Sequence, residues 1–200
     1  MKFILLAAGK GTRLSPITDE HPKCLTPFQG RPIIDYTVDA LNSVGISEMI
    51  VVGGYKSDVL TEHLKKLNIS SKIYINKDYD QTNMVFSLFS AIHEFTDDLI
   101  ISYSDIIFTP NVLELLMQSK ADFGTIVDTD WQTLWNIRMD DPLEDVESFK
   151  LDVDNNIIEI GHKPKSIDEV EGQYIGLSKI SKKFLPTLVK KFEELERKRA

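Results

Sequence analysis

The segment from Leu6 to Lys23, LAAGKGTRLSPITDEHPK, follows directly on the apolar run Phe3-Ile4-Leu5-Leu6. A short β-prone run bounded by glycine reads as a buried parallel strand, so the glycine loop begins at the C-terminal end of that strand. Gly9 and Gly11 lack a Cβ, which lets the backbone turn sharply and direct several N–H groups at one anion. Arg13 adds a planar fork suited to phosphate oxygens, and Lys23 a mobile point charge. Spacing excludes two commoner phosphate motifs. A dinucleotide fingerprint needs a third glycine where Leu14 stands, and Pro16 opposes a helix opening there. A P-loop needs Gly-Lys-Ser/Thr after its last glycine, whereas Gly11 is followed by Thr12-Arg13.

A chain of 200 residues makes one domain, 1–200, with a core that needs neither disulfide nor metal, and the single cysteine, Cys24, leaves no intrachain bridge. No basic-then-apolar leader and no membrane-length apolar run is present, so a soluble, cytoplasmic protein without membrane insertion is expected. A net charge of −8 argues against nucleic acid as a partner. The charge is unevenly placed. Residues 1–31 carry five basic side chains against two acidic ones, while residues 128–171 carry thirteen carboxylates against four basic groups. The acidic run is either a solvated face or a wall beside a cationic acceptor.

Apolar periodicity predicts helices over 32–44, 56–67, 83–95, 110–119 and 181–200, with Gly45 as the C-terminal stop of the first and Pro186 in the first turn of the last. Strands are expected at 49–52, 72–75, 99–103 and 123–127, and a hairpin joins 147–153 to 157–160 across Asp154-Asn155-Asn156. This alternation predicts an α/β fold with a mostly parallel central sheet, helices on both faces and a small β-hairpin extension.

Asp105 ends the strand at 99–103, where a doubly wound sheet holds ligands, and a carboxylate there can hold Mg²⁺ against a triphosphate. Gln81-Thr82-Asn83 precedes a helix, so Thr82 or Asn83 is also a plain N-cap. Two tryptophans, Trp131 and Trp135, stand in the acidic region and could enclose an ammonium group, or simply pack a β-layer. Asp152-x-Asp154-x-Asn156 begins like a calcium loop, but Ile157 replaces the required glycine and Lys163 the bidentate glutamate. His21, His63, His93 and His162 have no metal-ligand spacing, and Cys24 lacks a paired cysteine or base.

Leu6-Ala7-Ala8-Gly9-Lys10-Gly11-Thr12-Arg13, with Pro16, Thr18 and Pro22-Lys23, resembles the nucleotidyltransferase family, which implies a Rossmann-like nucleotidyltransferase fold. Trp131, Trp135, Arg138, Asp141 to Asp145, Glu159-Ile160-Gly161, Lys163-Pro164 and Gln173 to Leu177 extend the resemblance across nearly the whole chain. They resemble cytidylyltransferases of cell-surface and capsule assembly that act on phosphocholine, 2-aminoethylphosphonate or phosphoglutamine. The resemblance implies an Mg²⁺-dependent transfer of CMP from CTP to a small phosphorylated acceptor, with release of pyrophosphate. It gives Arg13 and Lys23 catalytic roles and makes Asp105 the metal ligand. It assigns Leu6, Ala7, Ala8, Gly9, Lys10, Gly11, Thr12, Gln81, Asn83, Ser87 and Ser104 to the nucleotide, and Trp131, Trp135, Arg138, Glu144 and Tyr174 to the acceptor. It also implies a second metal-binding carboxylate in a segment beyond Ala200. A hexose-1-phosphate nucleotidyltransferase and a catalytically incomplete nucleotide-binding relative stay open as alternatives, as does a homo-oligomer.

Overall fold

The structure, a computed structural model, describes residues 1–199. Ala200, the end of the expected terminal helix, lies outside the described residues. In chain order the elements are β1 (Lys2–Ala7), β2 (Pro27–Phe28), β3 (Arg31–Pro32), α1 (Ile33–Ser43), β4 (Glu48–Gly53), α2 (Ser57–Leu64), β5 (Ser70–Ile75) and α3 (Met84–Phe89). They continue with β6 (Leu99–Tyr103), α4 (Pro110–Gln118), β7 (Phe123–Asp128), α5 (Trp131–Arg138), β8 (Phe149–Leu151), β9 (Ile157–Ile160), β10 (Gln173–Ile180) and α6 (Leu185–Arg199). Six strands form one sheet in the order β5-β4-β1-β6-β10-β7. β1 runs parallel to both β4 and β6, β4 parallel to β5, and β10 antiparallel to β6. No described helix is long and apolar enough to cross a membrane.

The central strands are apolar at successive positions because both their faces are covered. On one face Ile4, Ile50, Val52, Leu99 and Ile101 pack with Leu88 of α3, with Ala91 just beyond it and with Leu185 of α6. Phe192 of α6 stacks on Phe89 of α3, ring centroids 3.7 Å apart and 10° from parallel. Side chains alternate along a strand, so Phe3, Leu5, Met49, Val51 and Ile100 point the other way, and they are equally buried. Ile34, Val38 and Leu41 of α1 and Leu113 and Leu116 of α4 are the buried stripes of two helices in contact with each other.

The chain divides into two compact units, one formed by Met1–Thr125 with the segment from Gly176 onward, the other by Ile126–Ile175. All thirteen carboxylates of the acidic run fall in the second unit, against four basic side chains. Within it β8 and β9 pair antiparallel with a bulge between Lys150 and Leu151. Their connection closes as a plain turn: Asn155 adopts φ 61°, and Asp152 accepts the backbone N–H groups of Asp154 and Asn156.

Three expected helices are shorter than their patterns, the last of them because α6 begins only at Leu185. Lys56 adopts φ 47° and stands outside α2, which ends at Leu64. The stretch expected as one helix over 83–95 is α3 followed by a separate 3₁₀ turn, Ile92–Glu94, which turns Glu94 inward. α5, β10 and the β2–β3 hairpin fall outside the expected set. Gly176 interrupts the apolar pattern of β10 at φ 86°, and a Cβ there would lie 2.5 Å from the Tyr103 ring.

Glu94 is 6% exposed and ionised. Lys2 Nζ donates to its Oε2 at 2.6 Å, Tyr74 Oη to its Oε1 at 2.7 Å, and Lys72 Nζ lies 3.4 Å from Oε1. The Lys2 hydrogen bond, helped by Tyr74, outweighs desolvation and holds the carboxyl at about 2, against an ordinary 4.5. The folded value lies below the unfolded one, so this stabilisation is complete above the ordinary carboxylate pKa and drains as pH falls toward about 2. Glu94→Gln is expected to lose roughly 1–3 kcal/mol near neutrality. Thermal denaturation followed from pH 7 to pH 3 should show the gap from wild type closing below about pH 4.5; a gap independent of pH would show that the charge contributes nothing.

Candidate active site

β1 lies where the strand order reverses, since the chain moves from β1 to β4 and β5 on one side and then crosses to β6 on the other. The register pairs Ala7 with Gly53 and Leu6 with Tyr103, so the loops after β1, β4 and β6 leave the sheet at one level. Such a switch point opens a crevice at the carboxyl ends of parallel strands. A cavity of about 340 Å³ occupies it.

One wall is the glycine loop. Leu6, Ala8, Gly9, Gly11, Thr12 and Arg13 line it. Gly11 takes φ 66°, and a Cβ there would sit 3.2 Å from Lys23 Cβ and 3.3 Å from Thr18 Cγ2. Thr18, buried, ties the turn by donating its hydroxyl to Gly11 O at 2.9 Å. A side chain at Gly9 would meet nothing within 4 Å, so this part of the loop is open toward a ligand. Arg13 is exposed in the 3₁₀ turn Thr12–Leu14 and has no ion-pair partner among the described residues.

Lys23 and Asp105 meet across the cavity, Nζ donating to Oδ2. Lys23 comes from the 3₁₀ turn Lys23–Leu25, and Asp105 from the loop after β6, beside Ser104, which also lines the cavity. Both side chains are a little over a quarter exposed, 27% and 29%, so the pair is within reach of solvent and of a ligand. Behind Lys23, Cys24 is fully buried, and desolvation, aided by the charge of Asp105, pushes its thiol up to about 12.

The opposite wall comes from the segment after β5. Tyr79, Thr82, Asn83, Met84 and Ser87 line it, with Tyr103 from β6. Asn83 is the N-cap of α3, its Oδ1 accepting from Val85 N at 3.0 Å and Phe86 N at 3.4 Å. Its side chain is therefore a cap while the residue borders the cavity. Tyr103 Oη donates to Met84 Sδ. Tyr79 presses on Gly54, where a Cβ would lie 2.8 Å from both Ala8 O and Tyr79 Cβ. Tyr79, Met84, Tyr103 and Gly54 are absent from the residues singled out in the sequence. The pair Gly53-Gly54 at the end of a strand is the signal that could have found the last of them.

Three residues assigned to the nucleotide do not line the cavity. Ala7 is a buried strand residue. Lys10 is exposed, 5.8 Å above the Tyr55 ring, and Gln81 is exposed with its backbone N–H donated to Asp78 O. Asp105 is the only carboxylate lining the cavity among the described residues, and no described cluster of three or more His, Cys, Asp or Glu is placed to hold a metal by itself. One carboxylate beside phosphate oxygens and water is a donor set that suits Mg²⁺.

The residues expected around the acceptor all belong to the second unit. Trp131 must be corrected: it is 3% exposed, packed with Val146 and Val170, and its indole N–H donates to Val170 O at 3.1 Å. It is a core residue with no face left for a ligand. Trp135 is half-buried, donates to Asp145 Oδ2 at 3.1 Å and carries the Arg138 guanidinium 5.2 Å from its ring centroid. A cation does sit over an indole here, and it is the protein's own. Glu144 is exposed in the turn Pro142–Glu144, and Tyr174 is half-buried on β10.

The chain matches the MobA-like NTP transferase domain over residues 3–139, a span that holds both walls of the cavity. It is 43% identical over 203 residues to the CTP:phosphoglutamine cytidylyltransferase of Campylobacter jejuni, covering 98% of this chain and 79% of that one. It is 32% identical over 108 residues to the choline-phosphate cytidylyltransferase of Streptococcus pneumoniae, where the match covers 54% of this chain and 46% of the relative. The solved inositol-1-phosphate CTP transferase from T. maritima shares the fold, with a TM-score of 0.72 at 23% identity over 91% of this chain and 71% of that one. The glycine loop, the basic pair and the strand-end carboxylate thus meet in a fold shared with these enzymes, and the chain belongs to the MobA-like NTP transferase family of nucleotidyltransferases.

Proposed function

We propose that this chain transfers CMP from CTP to a small phosphorylated acceptor. The observation that carries the reading is the convergence of the glycine loop, Arg13, Lys23 and Asp105 on one cavity at the switch point. The choice of CTP, and of an acceptor like phosphoglutamine, is supported by the similarity to the Campylobacter jejuni enzyme. The acceptor's phosphate oxygen attacks the α-phosphorus in line and forms the new P–O bond as the bond to the β-phosphate oxygen breaks. Pyrophosphate leaves with that electron pair. An attacking oxygen that is already anionic needs no general base, so positioning and charge stabilisation suffice.

Arg13 holds the departing pyrophosphate, and Lys23 moves from Asp105 to the α-phosphate and incoming oxygen. Asp105 would hold Mg²⁺, which supplies neutralisation of the triphosphate when bound. On the acceptor side we assign Trp135, Arg138, Glu144 and Tyr174, with Arg138 braced by Trp135 as a planar phosphate fork.

Pyrophosphate release is the direct assay, with CTP, UTP, dTTP and GTP each offered phosphoglutamine, phosphocholine and a hexose 1-phosphate. Turnover of CTP with an amino-phospho acceptor is expected; preference for a hexose 1-phosphate would replace this reading, and nucleotide binding without any turnover would identify an inactive relative. Lys23→Ala should lower kcat at least about a hundredfold, the scale of a lost transition-state electrostatic contact. Unchanged kcat at saturation would remove Lys23 from the mechanism. Asp105→Asn keeps the shape and loses the charge, so activity should vanish or need far more Mg²⁺; a wild-type Mg²⁺ titration would leave Asp105 a turn residue. Arg138→Ala is expected to raise the acceptor KM about tenfold while the KM for CTP stays within about twofold, since a uniform binding contact is lost for one substrate only.

A further inference from the structure

Asn76 follows directly on β5 and is 6% exposed. It bonds three points of the segment that follows β5. Asp78 N donates to its Oδ1 at 3.0 Å, and a backbone N–H can only donate, so the amide orientation is fixed. Its Nδ2 therefore faces inward and donates to Thr82 Oγ1 at 2.9 Å and to Ser87 Oγ at 3.0 Å. Thr82 and Ser87 both line the cavity.

Each hydroxyl that receives a hydrogen from Asn76 must send its own proton elsewhere. Thr82 sends it to Asp78 O at 2.7 Å, a short and settled bond. Ser87 sends it to Asn83 O at 3.4 Å, a stretched bond that a better acceptor in the cavity can outcompete. The wall thus holds one hydroxyl primed to donate. Cytosine presents an acceptor at ring position 3, where uracil presents an N–H.

We propose that Asn76 is a positioning residue for nucleotide selection, fixing Ser87 as a hydrogen-bond donor toward the base. The inference rests on the cavity being the nucleotide site. An aspartate at position 76 keeps the size and still accepts from Asp78 N, but it has no hydrogens to give. Both hydroxyls then turn their protons toward the carboxylate, and the donor facing the cavity is lost.

The test is the ratio of kcat/KM for CTP to that for UTP, measured in wild type, Asn76→Asp and Asn76→Ser. The fraction of folded enzyme cancels in this ratio, so simple destabilisation does not move it. In Asn76→Asp the preference for CTP should fall about tenfold, with the acceptor KM within about twofold of wild type. Asn76→Ser, which fits the site and retains one donor, should fall between the two, and it supplies the measurement if Asn76→Asp cannot be obtained folded. A ratio within about twofold of wild type in the folded variants would overturn the proposal. Wild type is assayed first: if it prefers another nucleotide, the assignment of CTP fails, while the ratio between that nucleotide and its nearest competitor still tests Asn76.

Discussion

Everything at the site depends on the placement of β1 between two parallel neighbours. Because β4 and β6 flank it in register, the strand ends at Ala7, Gly53 and Tyr103 emerge together, and three loops distant in sequence border one crevice. A strand buried on both faces has little freedom to shift register, since a slip of one residue would turn Ile4 and Phe3 to the wrong layers. The glycine loop is therefore anchored at its start by a strand buried on both faces.

The pairing of Lys23 with Asp105 is weak for a physical reason. Partly exposed ion pairs contribute about 0–1 kcal/mol, because solvent screens them and the side chains lose freedom. A triphosphate, with several negative charges and its own cation, offers each partner more than they offer one another. The pair keeps two charged groups oriented in the cavity without binding them there. Glu94 is the contrasting case: buried, held by Lys2 and Tyr74, and not among the residues that line the cavity.

The parts of the site legible in the sequence are those that lie in one continuous motif or at a strand end. Gly9, Gly11, Arg13 and Lys23 share a loop whose spacing is chemically demanding, and Asp105 follows an unmistakable apolar strand. The wall made by Tyr79, Met84 and Tyr103 depends on how β5, α3 and β6 come together, which local pattern does not encode. Trp131 illustrates the limit for aromatic residues. An indole N–H can be satisfied by a buried backbone carbonyl or by a ligand, and only the fold distinguishes them. β10 was hidden by Gly176, a residue that weakens a strand's pattern and is there because Tyr103 leaves no room for a Cβ. Helix ends failed where a tertiary demand intervened, as when Glu94 is turned toward Lys2.

Cys24 adjoins Lys23, which the proposed function turns toward the phosphates, and its burial has a chemical consequence. Reaction with oxidants and alkylating agents goes through the thiolate, which burial disfavours here by pushing the thiol up to about 12. The one cysteine of the chain is buried and has little thiolate to react. With this cysteine shielded in the core, an engineered surface cysteine would be the preferred point of covalent attachment.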